Sequence, residues 1–97
     1  MEGSMKAAQA GTLESNDIMI TVVPGEKGSG IVIDLDSIVL AQYGQAIHDT
    51  LKNTAIEQGV TDIYIKAVDR GALDCTIRAR MLTVLGRASI ALKGEMV

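Results

Sequence analysis

The chain has few of the residues from which catalytic, metal and nucleic-acid sites are commonly built. Its 97 residues include no Trp, no Phe, two Tyr, one Cys and one His. A single cysteine excludes both an intramolecular disulfide and a cysteine-based metal cluster. The shortage of aromatic rings removes the usual base-stacking platform, and the net charge of −3 disfavours phosphate contacts. We therefore expect no metal site and no nucleic-acid partner.

Long apolar runs and common catalytic motifs are also missing. No stretch approaches the roughly 20 apolar residues of a membrane span, and the N-terminus does not resemble a signal peptide. The sequence contains no P-loop, G-x-G-x-x-G, H-E-x-x-H or G-x-S-x-G motif. We expect a cytoplasmic protein with no membrane partner and no catalytic residue of its own.

Charge is distributed unevenly along the chain. Residues 1–49 carry seven acidic and two basic side chains, whereas residues 50–97 carry five acidic and seven basic ones. An acidic N-terminal half suits docking onto basic partner proteins. A solvated surface without a partner would show the same pattern.

Apolar periodicity predicts one α+β domain. We divide the chain into an expression-tag remnant (1–4), a mobile arm (5–16) and a single α+β domain (17–97). β-Branched runs and alternation predict strands, and apolar residues at helical spacing predict helices. The predicted elements are strands 18–23, 31–35, 62–68 and 73–78, and helices 37–58 and 80–92. The order ββαββα predicts a two-layer sandwich, with two helices on a four-stranded, mainly antiparallel sheet.

Several side chains are candidates for chemistry, but each has a plain structural interpretation. His48 is interpreted as a partly exposed helix residue, and Cys75 as a buried, inert thiol because it alternates with apolar residues. The glycine-rich stretch 25–30 lies between two strands without a helix behind it, so it predicts a loop and no phosphate cradle. A basic cluster could grip phosphates or an acidic partner surface, and its members are Arg78, Arg80 and Arg87.

Two serines stand out as possible modification sites. Ser37 follows Asp36 at the start of the first predicted helix, a pattern similar to the Asp-Ser-Leu motif on which ordinary acyl carrier proteins bear phosphopantetheine. Helix N-caps have the same pattern, and we interpret Ser37 as a cap. Ser15 lies in a polar segment ahead of the first strand, and composition alone predicts only that it is exposed.

The residues around Ser15 resemble a known family. The sequence is similar to the citrate lyase acyl carrier protein family, with Asn16 standing where that family commonly has Ser. The resemblance spans nearly the whole chain after residue 4. It rests on Ala-Gly-Thr-Leu-Glu-Ser-Asn-Asp-Ile-Met (10–19), Ile-Asp-Leu-Asp-Ser-Ile-Val (33–39), Gln-Tyr-Gly (42–44), Gly-Ala-Leu-Asp-Cys (71–75) and Arg-Ala-Arg (78–80).

The resemblance implies a non-catalytic carrier subunit modified on Ser15. In the family, the matching serine is joined by a phosphodiester to phosphoribosyl-dephospho-coenzyme A. The arm carries acetyl and citryl thioesters between an alpha (transferase) and a beta (lyase) subunit. A prosthetic-group transferase (holo-carrier synthase) and an acetylating ligase are the other implied partners. The alternatives are a malonate decarboxylase carrier and an unmodified α+β interaction domain.

Overall fold

A computed structural model describes residues 5–90 and shows one mixed sheet with two helices. The expected tag remnant (1–4) and the end of the second predicted helix (91–92) lie outside the described residues. The elements are β1 (Ala8–Gly11), β2 (Ile18–Pro24), β3 (Ile31–Ser37), α1 (Leu40–Glu57), β4 (Ile63–Asp69) and α2 (Asp74–Arg87).

The four strands lie in the order β1-β2-β4-β3. β1 pairs antiparallel with β2, β2 pairs antiparallel with β4, and β3 pairs parallel with β4. The parallel pair is joined through α1, since parallel strands need a crossover connection. The α+β class with a mainly antiparallel four-stranded sheet is therefore confirmed.

One face of the sheet is buried beneath the helices. Ile18, Ile20 and Val22 of β2 alternate with partly exposed neighbours, as expected for strands that are buried on one side. Residues 63, 65, 67 and 69 of β4 do the same. Ile77, Met81, Val84, Leu85 and Ala88, from α2 and the residue that ends it, pack against this face. The sequence's prediction of one apolar face on the second helix is confirmed.

The predicted element order ββαββα is wrong, and the observed order is βββαβα. Residues 73–78 do not form a strand, because helix α2 starts at Asp74. Leu73 and Ile77 are also four residues apart, so a short alternation is compatible with one helix face. The fourth strand is instead β1, within the segment predicted to be an arm.

The segment 5–16 is part of the domain at β1. Ala10 is 3% exposed and belongs to the core, opposite Ile20 of β2. The predicted arm therefore contains a strand of the sheet at Ala8–Gly11, and residues 12–17 form the turn between that strand and β2. The mobility of that turn stays a prediction.

Strands β2 and β3 follow each other along the chain through a short loop but do not form a hairpin. β4 lies between them and pairs with both. The loop 25–30 therefore crosses the end of β4, where the Asp62 carboxylate accepts hydrogen bonds from the Gly28 and Gly30 amides at 3.0 and 2.9 Å. Both hydrogen bonds lower the pKa of Asp62, and the one from Gly30 has the largest effect.

Helix α1 buries only part of the face predicted from its periodicity. Ile47, Leu51 and Ala55 are buried as expected. Leu40 and Tyr43, in the first turn, are 50% and 52% exposed. The first turn of α1 therefore extends past the core and leaves apolar side chains on the surface.

Candidate functional site

Ser15 lies at the tip of the turn that joins β1 to β2. Its side chain is exposed, and no hydrogen bond among residues 5–90 involves its hydroxyl. Gly11 begins the turn at φ +97°, and a Cβ there would lie 1.8 Å from the Ile18 carbonyl oxygen. Only glycine combines this dihedral with so close an approach of two strands. The sequence thus presents Ser15 on a tight connection with a free hydroxyl.

Asp17 ties this turn to helix α2. Its Oδ1 and Oδ2 accept hydrogen bonds from Nε and Nη2 of Arg80 at 3.0 and 2.9 Å, a bidentate ion pair. Thr12 Oγ1 donates to Oδ2 at 2.7 Å, and the Ile18 amide donates to Oδ1 at 2.7 Å. The hydrogen bonds from Arg80 and then Thr12 lower the pKa of Asp17 from 3.8 to about 2. The carboxylate is therefore charged and fully occupied beneath the Ser15 turn.

The other flank of the turn is bonded to the end of β4. The Asn16 amide donates to the Arg70 carbonyl at 2.8 Å, and the Arg70 amide donates to the Asp17 carbonyl at 2.8 Å. Asn16 adopts φ +65°, a left-handed conformation that asparagine tolerates better than most residues. The turn is thus anchored on both sides, with Leu13, Glu14 and Ser15 left at the surface.

Ser37 is a structural residue at the end of β3 and does not cap α1. Its hydroxyl donates to Asp69 Oδ2 at 2.8 Å and accepts from the Val39 amide at 3.1 Å. Val39 precedes the helix, and no side chain there makes a cap hydrogen bond. Asp69 is 1% exposed and also accepts from the Gly71 and Ala72 amides. The predicted N-cap role is corrected: the hydroxyl joins a buried carboxylate.

The basic cluster lies along α2, and its three members contact different parts of the chain. Arg80 pairs with Asp17, Arg78 pairs with Glu57 of α1, and Arg87 Nη1 donates to the Gln9 carbonyl at 2.9 Å. Arg78 and Arg80 both lie on this helix and not on a strand. The cluster holds elements of the fold together.

Two further candidates are also located. The His48 side chain is 41% exposed on α1, as its sequence position predicts. Cys75 is exposed in the first turn of α2, so the prediction of a buried thiol is wrong. The alternation with Leu73 and Ile77 that suggested burial lies at the start of a helix and not in a strand. Within residues 5–90 no group of acidic, His or Cys side chains could hold a metal ion, and no helix is long and apolar enough to span a membrane.

The Asp17–Arg80 pair is the part of the site that sequence reasoning missed. The two residues are 63 positions apart, and no local pattern links them. Both lay within segments already noted, Asp17 after the serine motif and Arg80 in the basic cluster. The only indication of this contact in the sequence is that the two side chains have opposite charges.

Comparison with known proteins first identifies a family model and a solved structure that this chain resembles. The family model "ACP: Malonate decarboxylase delta subunit (MdcD)" matches residues 5–88. A chain of the crystal structure of a Pseudomonas malonate decarboxylase hetero-tetramer in complex with malonate shares the fold, with a TM-score of 0.63 and 19% identity. The match covers 90% of this chain and 88% of that one.

Relatives of higher sequence identity are citrate lyase acyl carrier proteins. The citrate lyase acyl carrier protein of Halothermothrix orenii is 51% identical over 84 residues, 87% of each chain. That of Streptococcus uberis is 48% identical over 85 residues, 88% of this chain and 82% of the relative. That of Streptococcus equi subsp. equi is 50% identical over 82 residues, 84% and 79% of the two chains. The chain belongs to the family of the citrate lyase acyl carrier protein.

Proposed function

We propose that this chain is the acyl carrier subunit of a citrate lyase and is modified on Ser15. A phosphodiester joins the Ser15 hydroxyl to phosphoribosyl-dephospho-coenzyme A. The arm carries acetyl and citryl groups between the alpha and beta subunits during cleavage of citrate to acetate and oxaloacetate. The observation that carries the proposal is an exposed Ser15 with an unbonded hydroxyl on an anchored turn, in a chain that belongs to this family.

The surroundings of Ser15 fit a covalently attached, negatively charged group. A transferase needs an accessible hydroxyl, and an exposed turn provides one. The nearby carboxylate of Asp17 is neutralised by Arg80, which reduces repulsion of a phosphodiester two residues away. Arg70, also exposed, lies directly beside Asn16 through the backbone bond described above.

The chain's contribution is reach and concentration, while the partner subunits supply the chemistry. A tethered acyl group has a high effective concentration at each active site within the tether's reach. Because the turn is anchored, the attachment point of the tether has a fixed position on the carrier. The expected setting is the bacterial cytoplasm, with the holo-carrier synthase and the acetylating ligase as further partners.

The malonate decarboxylase carrier is the second candidate within the class. The family model carries that description, and the fold neighbour belongs to such a complex. The identities of 48–51% to citrate lyase carriers favour citrate lyase, because the malonate decarboxylase neighbour is 19% identical. An unmodified interaction domain is the alternative from another class.

The test is an intact-mass measurement after co-expression with the holo-carrier synthase and its prosthetic-group precursor. We expect an added mass equal to the complete arm, absent in Ser15→Ala. Ser29→Ala, a change at another exposed loop serine, is the matched control and should be modified normally. Modification of Ser15→Ala, or loss of modification only in Ser37→Ala, would contradict the assignment. Co-purification with citrate lyase alpha and beta subunits, rather than malonate decarboxylase subunits, tests the choice between complexes.

A further inference from the structure

A groove of about 490 Å³ opens where the first turns of α1 and α2 meet the turn after β4. Ligand sites for small molecules fall in the range of roughly 300–1,000 Å³. The groove is lined by side chains from both helices and by the connecting turn, including Tyr43, Ala46 and Ile47 of α1 and Ala72, Leu73 and Cys75 beside or within α2.

The lining is apolar and exposed. Leu73 is 70% exposed and Tyr43 is 52% exposed. Ile38, which lies beside the groove at 3.8 Å from the position of a Cβ on Gly71, is 65% exposed. Large apolar side chains clustered at one surface mark a binding region, since water contacts them unfavourably. Something of neutral, apolar character is therefore expected to cover this groove.

The groove lies next to the turn that carries Ser15. Gly71 lines the groove, and the Asn16 Oδ1 atom lies 3.7 Å from the position that a Cβ on Gly71 would occupy. The Asn16 amide also donates to the carbonyl of Arg70, the residue before Gly71. The residue after Ser15 is therefore hydrogen-bonded to the residue before Gly71, which places Ser15 close to the groove.

Charge between Ser15 and the groove matches a phosphate-bearing arm with a neutral end. Arg70 is an exposed cation between the Ser15 turn and the groove. Asp74 in the groove wall would repel phosphates, so the groove suits the part of the arm beyond them. Pantetheine and an acetyl thioester are uncharged, and their apolar parts are the gem-dimethyl group, the methylene groups and the acetyl methyl.

We propose that this groove holds the acetyl-pantetheine end of the arm on Ser15 while the carrier is not engaged by a partner subunit. The inference rests on the proposed function, because it requires the arm at Ser15. The docked arm then covers the exposed Leu73 and Tyr43 side chains, and the groove keeps the acetyl thioester away from water between one citrate cleavage and the next.

The test uses the full-length carrier, loaded and acetylated with [¹³C]acetate, after intact mass has shown that the acetylated arm is present. We expect nuclear Overhauser effects from the labelled methyl to Tyr43 and Leu73. The acetyl group blocks the arm's thiol, so a neutral alkylating agent then reports on Cys75 alone. Alkylation should slow at least about threefold relative to apo-protein, because a docked fraction of about two thirds withdraws that share of accessible thiol.

Two matched variants separate docking from other effects of the arm. Ala46→Leu fills the groove at a site where a helix accepts leucine at little cost, and Ala41→Leu makes the same change on α1 outside the groove. Ala46→Leu should abolish the Overhauser effects and restore the alkylation rate of Cys75. Ala41→Leu should leave the Overhauser effects and the Cys75 alkylation rate as in the parent protein. Both variants carry the same charged arm, so an effect of its charge on Cys75 would appear equally in each.

The results distinguish the inference from the function on which it rests. An arm present by mass, with no Overhauser effect and an unchanged Cys75 alkylation rate, overturns the inference and leaves the carrier function standing. If Leu73→Ser then weakens binding to the large subunits, the groove is a protein-docking site instead. An absent arm by mass overturns both proposals.

Discussion

Replacing Asp17 by Asn removes the charge that fastens the Ser15 turn to helix α2. The carboxylate is 12% exposed and receives both hydrogen bonds of the Arg80 guanidinium. An amide can still accept from the Ile18 amide but cannot neutralise Arg80. The variant therefore removes the ionic contact together with the hydrogen bonds that Oδ2 accepts from Arg80 and Thr12, and leaves the size of the side chain nearly unchanged.

The magnitude follows from the pKa of Asp17. A fall from 3.8 to about 2 corresponds to about 2.4 kcal/mol, at 1.36 kcal/mol per unit. Arg80 is 40% exposed, so solvent screening reduces this to about 1–2 kcal/mol. Because the folded-state pKa is depressed, the stabilisation is complete above the unfolded pKa near 4 and is lost as the pH falls towards 2.

The assay is urea unfolding followed by far-ultraviolet circular dichroism, for the parent protein and Asp17→Asn, at several pH values. At pH 7 the parent should be more stable by about 1–2 kcal/mol, and the difference should shrink as the pH falls from 4 towards 2. Other carboxylates titrate equally in both proteins and cancel. A difference that is the same at pH 7 and near pH 2 would falsify the ionic explanation.

Three further predictions test the surroundings of the site. Gly11→Ala should destabilise the fold by more than about 2 kcal/mol in urea unfolding, because its φ of +97° and the carbonyl of Ile18 exclude a Cβ. A loss below about 0.5 kcal/mol, which is the usual scatter of surface substitutions, would refute this. Ser37→Ala should cost about 1–3 kcal/mol by removing a donor from buried Asp69, with Ser15 modification unchanged by intact mass; loss of modification in the folded variant would contradict it. Amides of residues 13–15 should exchange hydrogen rapidly in apo-protein while those of β4 are protected, and strong protection at 13–15 would mean that the tip is docked.

Periodicity predicted the elements whose apolar residues repeat over several turns or a full strand. β2, β3, α1 and β4 lie within a few residues of their predicted positions. The short stretch 73–78 was assigned wrongly because three alternating apolar positions do not distinguish a strand from the first turns of a helix. Strand β1 was missed because Ala, Gln and Gly have low strand propensity, and this strand is stabilised by pairing with β2.

The candidate site divides in the same way. Ser15 was predicted from a contiguous motif, because the motif's residues are neighbours along the chain. Ser37 was interpreted as a cap from its local position, whereas its actual partner, Asp69, is 32 residues away. The prediction that Cys75 is buried also failed, since it depended on the strand assignment.

The sequence by itself determined a small α+β domain, most of its elements and the serine expected to carry the arm, because these depend on local periodicity and a continuous motif. Only the tertiary structure decided that β4 lies between β2 and β3, that Asp17 pairs with Arg80, and that an apolar groove adjoins the Ser15 turn. Strand order and these contacts arise from burial and charge pairing between residues far apart in the chain. Local sequence patterns carry no record of which distant segments meet.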